Sequence, residues 1–264
     1  MNTTVTDSAP ILSIENMAVH FGGLVAISDL NFVVHEKEIV SLIGPNGAGK
    51  TTAFNVITGF LKPTEGTVRH RGTSLNGLRP NEIAERGVVR TFQKTSVFDG
   101  STVYDNVLTG LHLRGKSRSW EILLNLSRVR AEERRLRETA TEILDLVGLL
   151  GRSRELASDL PYGEQRLLEV AVALSAEPSL LLLDEPVSGM NPSETANFME
   201  FVSRIRDRGT TILLVEHDMR MVMGVSDRVI VLNQGTVIAE GTPTEIQHNP
   251  EVIRAYLGRG SADA

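Results

Sequence analysis

The chain has 264 residues, of which 41% are apolar and 23% charged, with a formal net charge of −6 and no cysteine. That length can bury the core of one large α/β domain, and the composition is that of an ordinary globular protein. The absence of cysteine excludes disulfides, thiolate metal sites and thiol catalysis, and an acidic chain without a long basic block points to no nucleic acid partner.

Residues 1–10 are small and polar, lack the basic start and apolar stretch of a secretory signal, and read as a flexible N-terminus. Strands are expected at Leu12 to Val19, Asn31 to Val34 and Ile39 to Ile43, with Glu36-Lys37-Glu38 as a hairpin turn between the last two. The third strand runs straight into a glycine-rich loop and then a helix, Lys50 to Thr58. Glu65-Gly66 reads as a further turn, Asn81 to Arg86 as a short helix and Val88 to Phe92 as a strand.

From Val103 to Leu149 the pattern is almost wholly helical. Its strongest helix, Ala131 to Val147, sets Leu136, Ala140, Ile143, Leu144 and Val147 on one face at i, i+3, i+4 spacing. Beyond Leu160, buried strands at Leu180 to Leu183 and Thr211 to Val215 flank a helix, Pro192 to Arg208. A hairpin follows, Val229 to Leu232 and Val237 to Glu240 around Gln234-Gly235, and a helical tail ends near Leu257. Residues 258–264 read as a flexible C-terminus. Apolar runs such as Leu180 to Leu183 fall far short of the roughly 20 residues of a membrane helix, so a cytoplasmic chain is expected, held at any membrane by a partner. The six histidines form no close pair, so no structural metal is expected.

Gly44-Pro45-Asn46-Gly47-Ala48-Gly49-Lys50-Thr51-Thr52 matches G-x-x-x-x-G-K-[ST] and lies between a strand and a helix, where that pattern cradles phosphate. Successive backbone N–H groups and a helix N-terminus attract the anion, Lys50 reaches the β- and γ-phosphates, and Thr51 offers its hydroxyl to Mg²⁺. Leu180 to Glu185 is an apolar strand ending in two acids. Asp184 would hold Mg²⁺ and Glu185 would polarise the attacking water. Together they imply a nucleoside triphosphate and Mg²⁺ as ligands, while leaving GTPase, kinase and helicase readings open.

Three further segments resemble the ABC (ATP-binding cassette) ATPase family. Leu160-Pro161-Tyr162-Gly163-Glu164-Gln165-Arg166 resembles the family's signature loop, His217 its switch histidine and Gln93 its Q-loop glutamine, all in the family's order. The resemblance covers nearly the whole chain. It implies a P-loop NTPase fold with a RecA-like core, an antiparallel β-subdomain and a helical subdomain inserted at about 96–160 of a single domain spanning 11–257. It implies that Glu185, His217 and Gln93 serve catalysis, and that Thr51, Gln93 and Asp184 serve the metal. It also implies that Tyr162, Gly163 and Glu164 face the nucleotide of a second subunit. Phe21 matches the family's adenine-stacking aromatic, with a core phenylalanine as the alternative. Ser188-Gly189-Met190-Asn191-Pro192 resembles the loop through which paired subunits touch.

The signature departs from the common Leu-Ser-Gly-Gly-Gln. Pro161 stands at the serine and Tyr162 at the first glycine, so the serine hydroxyl contact cannot form. The Tyr-Gly-Glu-Gln-Arg run, Val215 to Met219, Val222 to Val229 and Asn249 to Gly258 look like ATPase subunits of branched-chain amino-acid importers, with urea and short-amide importers close to the same pattern. A soluble ABC ATPase serving another process, such as lipopolysaccharide extraction, is the alternative. The importer resemblance implies a second ATPase subunit, identical or different, integral-membrane permeases and, indirectly, a solute-binding protein, with this chain peripheral on the cytoplasmic face. Val97, Phe98, Tyr104, Leu111 and Trp120 are candidates for a permease-docking groove, with Phe98 the strongest and with core positions the alternative for Tyr104 and Leu111.

Overall fold

The computed structural model describes residues 9–91, 97–112 and 127–257. Phe92, Gln93 and Trp120 lie outside the described residues, as do 1–8 and 258–264 at the two ends expected to be flexible. The strands are β1 Leu12–Phe21, β2 Leu24–Val34, β3 Ile39–Ile43, β4 Glu65–His70, β5 Thr73–Ser74, β6 Val88–Arg90, β7 Leu180–Asp184, β8 Thr211–Val215, β9 Arg228–Asn233 and β10 Thr236–Gly241. The helices are α1 Lys50–Ile57, α2 Pro80–Glu85, α3 Val103–His112, α4 Ser127–Leu146, α5 Tyr162–Leu174, α6 Pro192–Asp207, α7 Met219–Val225, α8 Pro243–Gln247 and α9 Pro250–Leu257. The chain divides into two compact units, Met1–Arg90 with Ser179–Glu185 and Ile205–Ala264, and Thr91–Pro178 with Pro186–Arg204.

The first unit carries a sheet in the order β5-β4-β1-β2-β10-β9-β3-β8-β7-β6. Strands β9, β3, β8, β7 and β6 pair in parallel. Every residue of β3, β7 and β8 is buried, which is why they read as runs dominated by Val, Ile and Leu. Strands β1, β2, β4 and β5 are antiparallel and alternate loosely, as half-exposed strands do. One core gathers Leu12, Met17, Ile27, Phe54, Val68, Leu42, Leu182 and Leu213 from both ends of the sheet. A second joins Ile43, Val222, Val229, Val231, Ile246 and Val252, and so packs α7, α8 and α9 against β3 and β9.

Two expected turns are not turns. Glu36-Lys37-Glu38 does not close a hairpin, because β2 pairs with β1 and β10 while β3 pairs with β8 and β9. The segment instead carries the chain between the two halves of the sheet. Glu65 and Gly66 begin β4, which pairs with β1. Gly66 is required by close approach: at φ 82° its added Cβ would lie 2.2 Å from the Asn16 carbonyl oxygen. The actual hairpin of this region is Phe21 to Leu24 around Gly22-Gly23, which the sequence pattern missed. The expected hairpin at Gln234-Gly235 is present, with both residues at positive φ.

The second unit is helical among its described residues. In α4, Ala140, Ile143 and Leu144 are buried and Leu136 is half-buried, and Val147 just beyond it is buried too, so the expected apolar face is the packed face. The helix ends at Leu146, one residue before the expected Val147, and Gly148 turns left-handed at φ 77° just beyond it. The Leu149 N–H then bonds back to the Leu144 carbonyl at 2.8 Å, a Schellman-type end. Buried Asn106 on α3 accepts from the Phe98 N–H at 2.7 Å and donates to the Phe98 and Thr102 carbonyls, which fixes the loop bearing Phe98.

One buried group ties the first unit's stability to pH. His70 on β4 is 4% exposed and lies 3.1 Å from the Ser179 hydroxyl. Burial, with Arg71 adding to it, lowers its pKa from 6.5 to about 4, against a weaker opposite pull from Glu36. Between these values the unfolded chain binds the proton and the folded chain does not. Stability is therefore expected to fall as pH drops from 6.5 to 4, by up to about 3 kcal/mol from this group. Urea unfolding across that range should give a shallower pH dependence for His70→Gln than for the unmodified chain.

Candidate active site

Three loops leave the C-terminal ends of adjacent parallel strands in the first unit, where open α/β sheets hold their ligands. Strand β3 opens into Gly44–Thr52, β7 ends in Asp184-Glu185, and β8 runs into Glu216-His217.

The first loop is shaped by what it touches. Gly44 sits at φ 150°, and a Cβ there would lie 2.1 Å from the Leu232 carbonyl oxygen on β9. Gly49, at φ 105°, leaves room for only 2.9 Å between an added Cβ and the Ala26 carbonyl oxygen on β2. The loop is closed by the Ala48 N–H donating to the Pro45 carbonyl and braced by the Gly235 N–H donating to the Ala48 carbonyl. Asn46 and Gly47 are exposed at its tip, Pro45 is half-buried, Thr51 is exposed and Thr52 half-buried at the start of α1. Lys50 lies back along the loop, its ammonium donating to the Gly44 carbonyl at 2.6 Å and the Pro45 carbonyl at 3.2 Å. Burial lowers the Lys50 pKa, while Glu185 and Asp184 pull it up. A cation coupled to both carboxylates, beside a concave run of backbone, suits a polyphosphate.

Asp184 is 2% exposed. Its Oδ2 accepts from Arg90 on β6 at 2.6 Å, and its Oδ1, although buried, has no hydrogen-bond partner among the described residues. An orphaned carboxylate oxygen at a strand end, with the Thr51 hydroxyl near the helix start, is a donor set suited to a hard divalent cation such as Mg²⁺. Among the described residues no group of three or more His, Asp and Glu could enclose a metal alone, so such a cation would share phosphate oxygens and water.

Glu185 occupies φ 48°, a left-handed conformation unusual for a non-glycine residue and of the kind that clusters at functional sites. Its N–H is held by the Val215 carbonyl at 2.8 Å. Its Oε1 lies 3.9 Å from His217 Nδ1. Glu216, 1% exposed, anchors that histidine by accepting from the His217 and Asp218 backbone N–H groups at 2.8 and 3.1 Å. Asp218 in turn caps α7 through the Met221 N–H. Phe21 ends β1 and is 49% exposed, which removes the core alternative for it.

In the second unit, Tyr162, Gly163 and Glu164 open α5. Gly163 is buried against the Glu194 carboxylate, and Glu164 pairs with Arg152 at 3.0 Å. Pro161 supplies no side-chain cap, and its carbonyl accepts from the Glu164 and Gln165 N–H groups. Phe98 is 60% exposed while Val97 and Leu111 are buried. Gln93 and Trp120 lie outside the described residues.

The residue that sequence reasoning missed is Arg90. It binds Asp184, donates to Asn55 Oδ1 on α1 at 2.7 Å, and stacks 5.5 Å from the centre of the Phe54 ring. A lone arginine inside an apolar strand, three residues before Gln93, was the available signal.

Comparison with known proteins agrees with this geometry. The family profile described as ABC transporter matches residues 27–188, and that of the branched-chain amino acid ATP-binding cassette transporter matches 236–262. The chain is 48% identical over 252 residues to the high-affinity branched-chain amino acid transport ATP-binding protein LivG of Escherichia coli (strain K12), covering 95% of this chain and 99% of that one. It is 43% identical to the corresponding protein BraF of Pseudomonas aeruginosa, again covering 95% and 99%. Among solved structures, the ADP conformation of an ATP-binding cassette of an ABC transporter superimposes with a TM-score of 0.83 at 31% identity, covering 95% of this chain and 100% of that one. The chain belongs to the ATP-binding subunits of ABC transporters, and it is an ATP hydrolase of that family.

The buried pair yields a stability prediction. The side chains of Arg90 and Asp184 are 9% and 1% exposed, so Arg90→Met should leave a charge buried without its partner. A loss of about 3–5 kcal/mol is expected, measured by chemical denaturation. Arg90→Lys should lose less, because it keeps the charge and gives up only the fork that reaches Asn55 and Asp184 together.

Proposed function

We propose that this ABC ATPase energises an importer of branched-chain or other hydrophobic amino acids, docked by permease partners at the cytoplasmic face of the membrane. One observation carries the chemistry: Glu185 and His217 come within 3.9 Å at the ends of β7 and β8, beside the strand that launches the phosphate loop. The match of residues 236–262 to the branched-chain amino-acid transporter profile, with the LivG and BraF identities, supports the cargo. Among the described residues no helix is long and apolar enough to cross a membrane, so the permeases supply the membrane path. On this reading 11–257 is one ATPase domain with a helical insertion.

The residues divide the work. Backbone N–H groups of Gly47 to Thr51 and the start of α1 hold the phosphates, and Lys50 leaves the loop carbonyls for the γ-phosphate. Phe21 stacks on adenine. Thr51 and Asp184, together with Gln93, would hold Mg²⁺, which would supply charge neutralisation when bound. Glu185 accepts a hydrogen bond from the attacking water and aligns it, and His217 steadies the γ-phosphate. A second ATPase subunit, identical or different, completes each site with its own Tyr162-Gly163-Glu164 segment. A solute-binding protein delivers cargo on the far side of the membrane.

Glu185→Gln should bind ATP as the unmodified chain does and hydrolyse it at least about a hundredfold more slowly. Unchanged turnover would remove Glu185 from this role. Lys50→Ala should instead raise the nucleotide dissociation constant, because a charge-assisted phosphate contact is lost. At the membrane side, Phe98 is an exposed aromatic among the described residues of its loop. Phe98→Ala should leave ATP hydrolysis by the isolated chain intact and weaken permease binding by about 2 kcal/mol. Normal assembly and uptake in that variant would exclude Phe98 as an anchor.

A further inference from the structure

The departure at Pro161-Tyr162 has a structural counterpart. Tyr162 is the first residue of α5, and its phenol donates to the Ser188 carbonyl at 3.0 Å. One turn later Arg166 donates from Nε to the same phenol oxygen at 3.1 Å and lies 5.4 Å from the ring centre. Arg166 is in turn held by Glu169 at 2.9 Å, with the two side chains 12% and 5% exposed. The result is a continuous chain, Glu169 to Arg166 to Tyr162 to Ser188, anchored in the buried side of the helix.

The loop it reaches is shaped to receive it. Gly189 adopts φ 83°, and a Cβ there would lie 3.1 Å from a Tyr162 ring carbon, so the ring rests against bare backbone. A second tie runs parallel to the first. Gly163 packs on Glu194, whose other oxygen accepts from the Asn191 N–H at 2.8 Å, and Asn191 caps α6. Ser188 to Asn191 is thus held from both ends by the first turn of α5.

We propose that Tyr162 is a positioning residue that locks the Ser188–Asn191 loop to the start of α5, so that two segments facing a second ATPase subunit act as one rigid surface. This rests on the reading above, which assigns both segments to the subunit contact. A glycine at position 162 could make neither the hydrogen bond nor the ring contact. The phenol is therefore committed within the chain, and Pro161, having no hydroxyl, leaves phosphate contact to the backbone. Closure of the paired subunits then engages loop and helix start in one step, without first ordering the loop.

The test uses the transporter complex purified through a tag on this chain. Tyr162→Phe keeps the ring over Arg166 and removes only the bond to Ser188. Its kcat for ATP should fall about three- to tenfold, the size of effect of one lost neutral hydrogen bond, with KM within about twofold of the unmodified complex. Backbone amides of Gly189 and Met190 should exchange faster with solvent. Arg166→Lys, which removes the donor that orients the phenol, should move kcat and exchange in the same direction. Unchanged kcat and unchanged loop exchange in both variants overturn the proposal. So does a change confined to KM, or a lower melting temperature with normal kcat, which would make Tyr162 a mere structural contact. Glu185→Gln is the control in the same complex. If it too hydrolyses ATP normally, the assignment of the site fails and this proposal with it.

Discussion

A carboxylate sealed from water needs a cation or hydrogen-bond donors beside it, and Asp184 is sealed at the end of a strand whose residues are all buried. Arg90 answers half of that demand by binding Oδ2, and Oδ1, which has no hydrogen-bond partner among the described residues, is the half proposed above for a metal. Because Arg90 also grips Asn55 and stacks on Phe54, the same interaction registers α1 and the phosphate loop against β6 and β7. On the proposed reading, the placement of the metal ligand and the placement of the phosphate cradle are therefore one problem with one solution. Glu185, the next residue, inherits its position from this anchor and from its own bond to Val215.

The phosphate loop depends equally on the far half of the sheet. Its glycines are needed where carbonyl oxygens of β2 and β9 approach within the space of a methyl group. The Gly235 N–H, at the β9–β10 turn, braces the loop from beneath. The segment that matches the branched-chain amino-acid transporter profile starts at residue 236, immediately after that turn. Its helices α8 and α9 share a core with Ile43, the residue before Gly44. The described part of that segment, 236–257, is thus packed into the support of the candidate nucleotide site.

In the helical unit the same economy holds at the start of α5. The side chain that displaces the usual small residue has taken over the fastening of a neighbouring loop, through a hydrogen bond and a ring contact that glycine could not make. Position 189 has to be glycine for two reasons at once, a left-handed backbone and the face of Tyr162.

Much of this was legible in the amino-acid order. Buried parallel strands announce themselves as apolar runs, and a glycine-rich loop between strand and helix specifies phosphate chemistry, because both are local consequences of backbone geometry. The hydrophobic spacing of α4 predicted its packed face for the same reason. Partners distant in sequence were not legible. Gly66 reads as a turn until Asn16 is brought against it, Glu36 to Glu38 read as a hairpin until β2 and β3 are seen to have other neighbours, and Arg90 means little until Asp184, 94 residues later, lies within 2.6 Å. The sequence by itself determined which chemistry the chain carries, since residue types and their spacing set what can bind phosphate and metal. Only the tertiary structure decided which groups neutralise, brace and orient those residues, because burial and hydrogen bonding depend on what the fold brings near.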